Sequence, residues 1–325
     1  MYSYIYVLVQ TTYCVYNKLN LLALILVFLS MFSIKVMTEY KKSITQTLTS
    51  LVLLLVITLP STAAEPETHL HIGITPVFLT EHTSLLRDWQ NYMELRLGHL
   101  VQFVQRGSYR EITDMLLNNE IEFAWLCGYP YIKNRAQLQL VAVPKYQGEP
   151  YYRSYLIVSS NDSKTKNIDD LKGRVFAYSD PDSNSGFLVP RSDLTVKGYN
   201  PDSFFLRSFF TGSHRGVVEA VASELANGGS VDGYVWDTLA LFEPELTNAT
   251  RIVEKSDKFG FPPIVSNLNN SSKDVMNMRK ILIQMELDPD GRELLKRLNI
   301  DGFTIAKPDL YDDIANMAKI IEMKQ

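Results

Sequence analysis

The chain has 325 residues, 46% hydrophobic and 21% charged, which suits about two domains with a sizeable core. The formal net charge is -4; the first 64 residues hold four basic side chains and one acidic one, so the remainder carries -7. No long basic run exists, so no nucleic-acid partner is expected, and an anion would have to be held by local hydrogen bonds and not by the field of the whole protein.

Two apolar runs precede residue 64. The first, Leu21–Ile34, is short for a membrane helix, which needs about 20 residues. The second, Leu51–Leu59, follows Lys41 and Lys42 and precedes Ser61-Thr62-Ala63-Ala64. A basic segment, an apolar segment and a small-residue exit make a secretory signal peptide, with cleavage after Ala63 or Ala64. Residues 1–64 are read as a signal-peptide region. Met37 opens a complete signal peptide by itself, so translation is expected to start there; a membrane anchor at Leu21–Ile34 is the alternative.

The body begins near Glu65. HLHIGIT alternates like a strand. Ser84 to Leu97 has apolar residues near helical period. LVQFV reads as a strand. Ser108 to Leu117 reads as a helix, with Ser108 and Glu111 as a capping box. IEFAWL reads as a short buried strand. His69 and His71 share a strand face without a third metal ligand nearby and are read as structural. Cys14 lies in the leader, and Cys127, outside any CxxC pattern, is read as a small buried hydrophobe.

A second set of units begins near Tyr151, with strands at YLIV and RVFAY and a short helix at Asn167–Gly173. The loop SDPDSNSG should lead into a helix that Pro190 bends. FFLRSFF, a helix at Gly216–Ala226 and VDGYVWD, read as a strand ending at Asp237, complete the set. PPIVSNL returns the chain to the first half, and Ser272–Leu298 is helical with a break at Pro289–Gly291. The strand–helix rhythm argues for parallel sheets with helices on their faces. The expected fold is α/β, a two-lobed clamshell with crossover strands near Tyr155–Ser160 and Pro263–Leu268. Residues 65–157 plus 263–325 would form one lobe and 158–262 the other, with ligand in the cleft between them.

Asp180-Pro181-Asp182-Ser183-Asn184-Ser185-Gly186 lies between an expected strand and an expected helix. Backbone N–H groups at a helix start are unpaired and favour negative charge. The Ser183 and Ser185 hydroxyls add donors and Gly186 permits close approach, so the segment can cradle an anion. The same residues are also ordinary turn and cap residues. His214, after Thr211-Gly212-Ser213, is a second donor. Asp237 is a carboxylate able to accept a proton from an oxyanion, or else a helix cap. Tyr109 and Trp125 are the aromatic candidates, as cleft wall or as core.

Several phrases then converge. The initial HIGITP, Gly107-Ser108-Tyr109, Phe123-Ala124-Trp125, DPDSNSGFLVP and SFFTGSHRGVVEAVASELANGGSVDGYVWD make Leu70–Leu310 resemble the phosphate/phosphite/phosphonate-binding family of ABC-transporter periplasmic proteins, which has the type II periplasmic-binding fold. The resemblance implies that Ser183, Asn184 and Ser185 hold a phosphorus oxyacid with Gly186, His214 and Tyr109. Asn184 stands where a threonine is frequent. Pro262 and Leu126 replace an aspartate and a tyrosine frequent in phosphonate binders, so a bare or apolar-substituted oxyanion is expected in place of an aminoalkylphosphonate. The resemblance further implies a periplasmic monomer without cofactor or metal, delivering a small oxyanion to an ABC permease. Two other readings are a ligand-sensing domain that signals to a membrane partner and a hydrolase using Ser185, His214 and Asp237. The second lacks a G-x-S-x-G elbow.

Overall fold

The computed structural model describes residues 69–75 and 83–323. The expected signal peptide, Met37 and the Leu21–Ile34 run lie outside the described residues. Among the described residues no helix is long and apolar enough to cross a membrane.

The chain forms, in order, β1 (His69–Ile74), α1 (Thr83–Leu97), β2 (Leu100–Gln105), α2 (Tyr109–Leu117), β3 (Phe123–Trp125), α3 (Gly128–Asn134) and β4 (Leu138–Lys145). Next come β5 (Tyr151–Ser159), β6 (Val175–Tyr178), α4 (Val189–Val196), α5 (Pro201–Phe204), β7 (Arg207–Phe210), α6 (His214–Ala222), β8 (Gly228–Asp232), α7 (Gly233–Phe242), α8 (Pro244–Asn248) and β9 (Thr250–Gly260). The last are β10 (Ile264–Asn267), α9 (Ser272–Gln284), α10 (Pro289–Arg297), β11 (Gly302–Thr304) and α11 (Asp312–Glu322). Short 3-10 turns at Ile168–Leu171, Met285–Leu287 and Pro308–Tyr311 connect them.

The strands make two sheets, one in the order β11-β4-β10-β3-β1-β2 and one in the order β7-β6-β8-β5-β9. In each, a parallel trio is extended by antiparallel strands: β2-β1-β3 in the first and β7-β6-β8 in the second. This is a mixed α/β fold of two sheets flanked by helices.

The chain changes sheets in two short stretches, residues 146–150 and 261–263. The first is a tight turn with Gln147 at φ 53° and Gly148 at φ 82°, closed by a bridge between Tyr146 and Glu149. Tyr155–Ser160, expected to cross, instead lies in β5 and at its end, and the return happens just before β10. Tyr151 and Tyr152 extend the strand upstream of YLIV, which moves the break back to Gln147-Gly148.

Two further elements differ from the sequence reading. VDGYVWD is not one strand: β8 ends at Asp232, which caps α7 by accepting the Tyr234 N–H at 2.9 Å. Gly233 permits that turn, because a Cβ there would meet the Tyr155 ring at 2.6 Å. Asp237 therefore lies inside α7. Pro190 does not bend a helix; it is the second residue of α4, where its missing N–H is harmless, and one π turn at Asn184–Leu188 precedes it. Pro289 similarly opens α10, capped by Asp288.

Trp125, Phe123 and Phe303 lie in the core of the first sheet, and Phe176, Phe204 and Phe205 in that of the second. Tyr311 is fully buried and joins the first core to the return crossing: its hydroxyl donates to the Phe261 carbonyl at 2.7 Å, and its ring meets Tyr131 edge-on. Tyr311→Phe should leave that carbonyl short of a donor and lower stability by about 1–2 kcal/mol, measured by urea unfolding.

Candidate functional site

The Asp180–Gly186 loop follows β6 and wraps one turn around its own backbone. Ser183 caps it: its Oγ accepts the Gly186 N–H at 3.0 Å, and its N–H donates to the Asp180 carbonyl at 3.0 Å. From beneath, the hydroxyls of Ser154 on β5 and Ser230 on β8 lie 2.8 and 2.7 Å from the Ser185 carbonyl. Gly186 packs against Ser179 and His214; a Cβ there would collide with the Ser179 side chain and lie 3.0 Å from the His214 ring. Ser183, Asn184 and Ser185 are completely buried. The Ser185 and Ser179 hydroxyls and the Asn184 Oδ1 nonetheless have no hydrogen-bond partner in the protein. Buried polar atoms without partners are rare and call for an explanation, one of which is a ligand that completes them.

His214 opens α6 above this turn and is fully buried. Its Nδ1 accepts the Asp232 N–H at 3.1 Å, so the ring proton belongs on Nε2, which lies 3.5 Å from Ser183 Oγ. Burial pushes the imidazole down to about 3, so the ring is a neutral donor at physiological pH. Asp232 ends β8 two residues beyond Ser230, hence on the same strand face. Burial pushes its carboxyl up to about 8, against the N–H groups of Tyr234 and Val235 that favour the charge.

Aromatic residues and a thiol complete the wall. Tyr109, the first residue of α2, is completely buried, and its hydroxyl has no partner. Tyr152 on β5 accepts a hydrogen bond from Asn184 Nδ2 at 2.9 Å and lies beside the Ser185 side chain. Cys127 Sγ accepts the Asn184 N–H at 3.2 Å, and burial pushes its thiol up to about 12. Asp232 acts electrostatically on Tyr109, Tyr152 and Cys127, which places it in the same cluster.

The structure thus brings together Tyr109, Ser183, Asn184, Ser185, Gly186 and His214. Asp237 is elsewhere: its carboxylate accepts from the Tyr146 and Tyr155 hydroxyls at 2.7 and 2.9 Å. Trp125 is a framework residue, edge-on to Trp89, with its indole N–H on the Pro262 carbonyl at 2.8 Å. A Ser185–His214–Asp237 triad is not assembled, because His214 Nδ1 faces a backbone N–H and Nε2 faces Ser183. Tyr152, Ser179 and Asp232 escaped the sequence reading. A signal existed for Asp232, since Asp-Gly at a strand end is a helix-start pattern.

A buried acid of raised pKa retains a proton in the folded state that the unfolded chain releases. Between about pH 4 and pH 8 the Asp232 contribution to stability therefore falls as pH rises, by up to about 1.4 kcal/mol per pH unit. Asp232→Asn, which keeps the helix cap, should flatten that part of the stability profile relative to the parent; urea unfolding across the range measures the difference.

Comparison with known proteins agrees with the fold and the family. The family model described as the ABC-transporter phosphonate periplasmic substrate-binding protein matches residues 72–311. The chain is 28% identical over 277 residues to the phosphonates-binding periplasmic protein of Escherichia coli K12, covering 82% of this chain and 80% of that one. It is 27% identical over 158 residues to the phosphate-import protein PhnD of Mycolicibacterium smegmatis, covering 45% of this chain and 48% of that one. Among solved structures, a binding protein component of an ABC phosphonate transporter from Pseudomonas aeruginosa has a TM-score of 0.72 at 22% identity, covering 78% and 86% of the two chains. PhnD1 of Prochlorococcus marinus, solved with methylphosphonate, has a TM-score of 0.70 at 17% identity, covering 79% and 99%. The chain belongs to the family of periplasmic substrate-binding proteins of ABC phosphonate transporters.

Proposed function

We propose that this chain is the exported, monomeric binding component of an ABC importer, and that it holds a small phosphorus oxyanion between two lobes. Residues 69–145 with 264–323 would form one lobe and 151–260 the other, joined by the two crossings. The observation that carries the reading is the set of buried hydroxyl and amide groups around the serine turn without protein partners: Tyr109, Ser179, Asn184 and Ser185. Such groups are costly to bury unless something accepts and donates hydrogen bonds to them. An oxyanion presents acceptors to the Ser185, Tyr109 and His214 donors, and a protonated oxyanion presents a donor to Asn184 Oδ1. Asp232 takes the proton-sharing role expected of Asp237.

The same site argues for the type of ligand. Leu126 is buried with its N–H on the Pro263 carbonyl at 3.0 Å, and the Pro262 carbonyl is occupied by Trp125. Neither supplies a charged partner for an ammonium. Tyr152 and Phe261 pack edge-on at 5.9 Å beside the serine turn and offer an apolar wall. Asp232, pushed toward its neutral form and sharing a proton with the oxyanion, is not a free charge partner either, and a buried ammonium left unpaired is strongly unfavourable. Phosphate, phosphite and methylphosphonate therefore fit better than 2-aminoethylphosphonate, in keeping with the methylphosphonate bound in the Prochlorococcus relative.

Calorimetric titration of the exported protein with these four compounds is the direct test. At least one unaminated compound should bind about tenfold or more tightly than the aminated one, and tightest binding of 2-aminoethylphosphonate would refute the ligand assignment. Ser185→Ala should weaken the best of them by roughly ten- to a hundredfold without unfolding the protein; an unchanged affinity would refute the cradle itself.

A further inference from the structure

The serine loop carries two carboxylates, and helices of the first sheet receive both. Asp180 accepts the Asp182 N–H through Oδ1 at 2.7 Å and the Tyr109 N–H at the start of α2 through Oδ2 at 3.4 Å. Asp182 is paired through Oδ1 with Lys133 of α3 and through Oδ2 with Arg110 of α2 at 3.5 Å. The Asp182 side chain is only 7% exposed, whereas those of Arg110 and Lys133 are 67% and 38% exposed. A nearly buried carboxylate on the second-sheet loop thus meets two cations that the first sheet extends from its rim. Beside it the Asn184 N–H reaches Cys127 Sγ across the same boundary.

We propose that Asp182, Lys133 and Arg110 form an electrostatic latch that sets how firmly the cleft stays closed. Hinge opening of such a fold separates the loop from α2 and α3 and returns the Asp182 carboxylate to water, where its two cations already partly lie. Closing strips water from Asp182, which is tolerable only when its cations arrive with it. Removing the charge of Asp182 should therefore be milder than removing Lys133, which leaves the buried carboxylate with one exposed partner. Removing both should undo most of the damage of removing Lys133 alone.

Cys127 reports closure without any ligand, because its thiol is 1% exposed behind the Asn184 N–H. The experiment follows alkylation of Cys127 by N-ethylmaleimide, read by mass spectrometry on the Cys127 peptide of the full chain. Lys133→Met should accelerate alkylation about tenfold or more, Asp182→Asn less, and the double variant should react more slowly than Lys133→Met. Lys133→Arg, which keeps the charge, should stay near the parental rate and guards against a general loss of folding. Parental reactivity of Lys133→Met, or a double variant as fast as Lys133→Met or faster, would overturn the latch. Failure of the oxyanion titrations would leave these rates unaffected, so the two ideas fail separately.

Discussion

Everything at the site depends on how one carbonyl is held. The Ser185 carbonyl takes the Ser154 and Ser230 hydroxyls, which lie 2.9 Å from each other. Those serines sit on β5 and β8, neighbouring antiparallel strands in the middle of the second sheet. With its carbonyl fixed from below, the π turn at Asn184–Leu188 keeps a defined orientation, and the Ser185 hydroxyl is not needed to hold its own backbone. Small residues around the turn serve the same end, since Gly186 has no room for a Cβ between Ser179 and His214. The sheet supplies rigidity, and the turn carries the chemistry.

Much of this was legible in the sequence because local rules govern it. A strand, a loop dense in Ser, Asn and Gly, and a helix follow from turn chemistry and periodicity, and the Ser108–Glu111 capping box forms as its spacing predicts. What was not legible depends on where a strand stops in three dimensions. Asp232 and Asp237 are both acids in one apolar phrase, and only the packing of Gly233 under Tyr155 decides that the first ends the strand. Tyr152 is one of three tyrosines on β5; its neighbours, not its spacing, place it against Asn184. The long β9 has no counterpart in the sequence reading; its Lys255, Ser256, Asp257 and Lys258 break any apolar alternation, and an edge strand tolerates and benefits from such charges.

Two buried aspartates share this neighbourhood and have opposite surroundings. Asp182 has two cations within reach, supplied from the other sheet. Asp232 has none among its stabilising partners, only backbone N–H groups, and burial pushes its carboxyl toward the neutral form. The difference follows from position: Asp182 meets long basic side chains that keep their heads partly wet, whereas Asp232 ends β8 almost completely buried.

That arrangement bears on how residues 65–325, with a net charge of -7, can hold an anion at all. The nearby cations are engaged by the loop's own carboxylate, and burial disfavours the charged form of His214, so on the proposed reading the recognising groups are uncharged donors and acceptors. Hydrogen bonds from neutral groups compensate a buried anion only when every oxygen finds its partner, because each unmatched group adds its own desolvation penalty. A site built this way discriminates by counting donors and acceptors instead of by attraction to charge. It also gains from a ligand that can share a proton with Asp232, since the pair then holds one negative charge in place of two. A small protonated oxyanion meets both conditions, whereas a larger or fully charged one leaves groups unmatched or charges uncompensated.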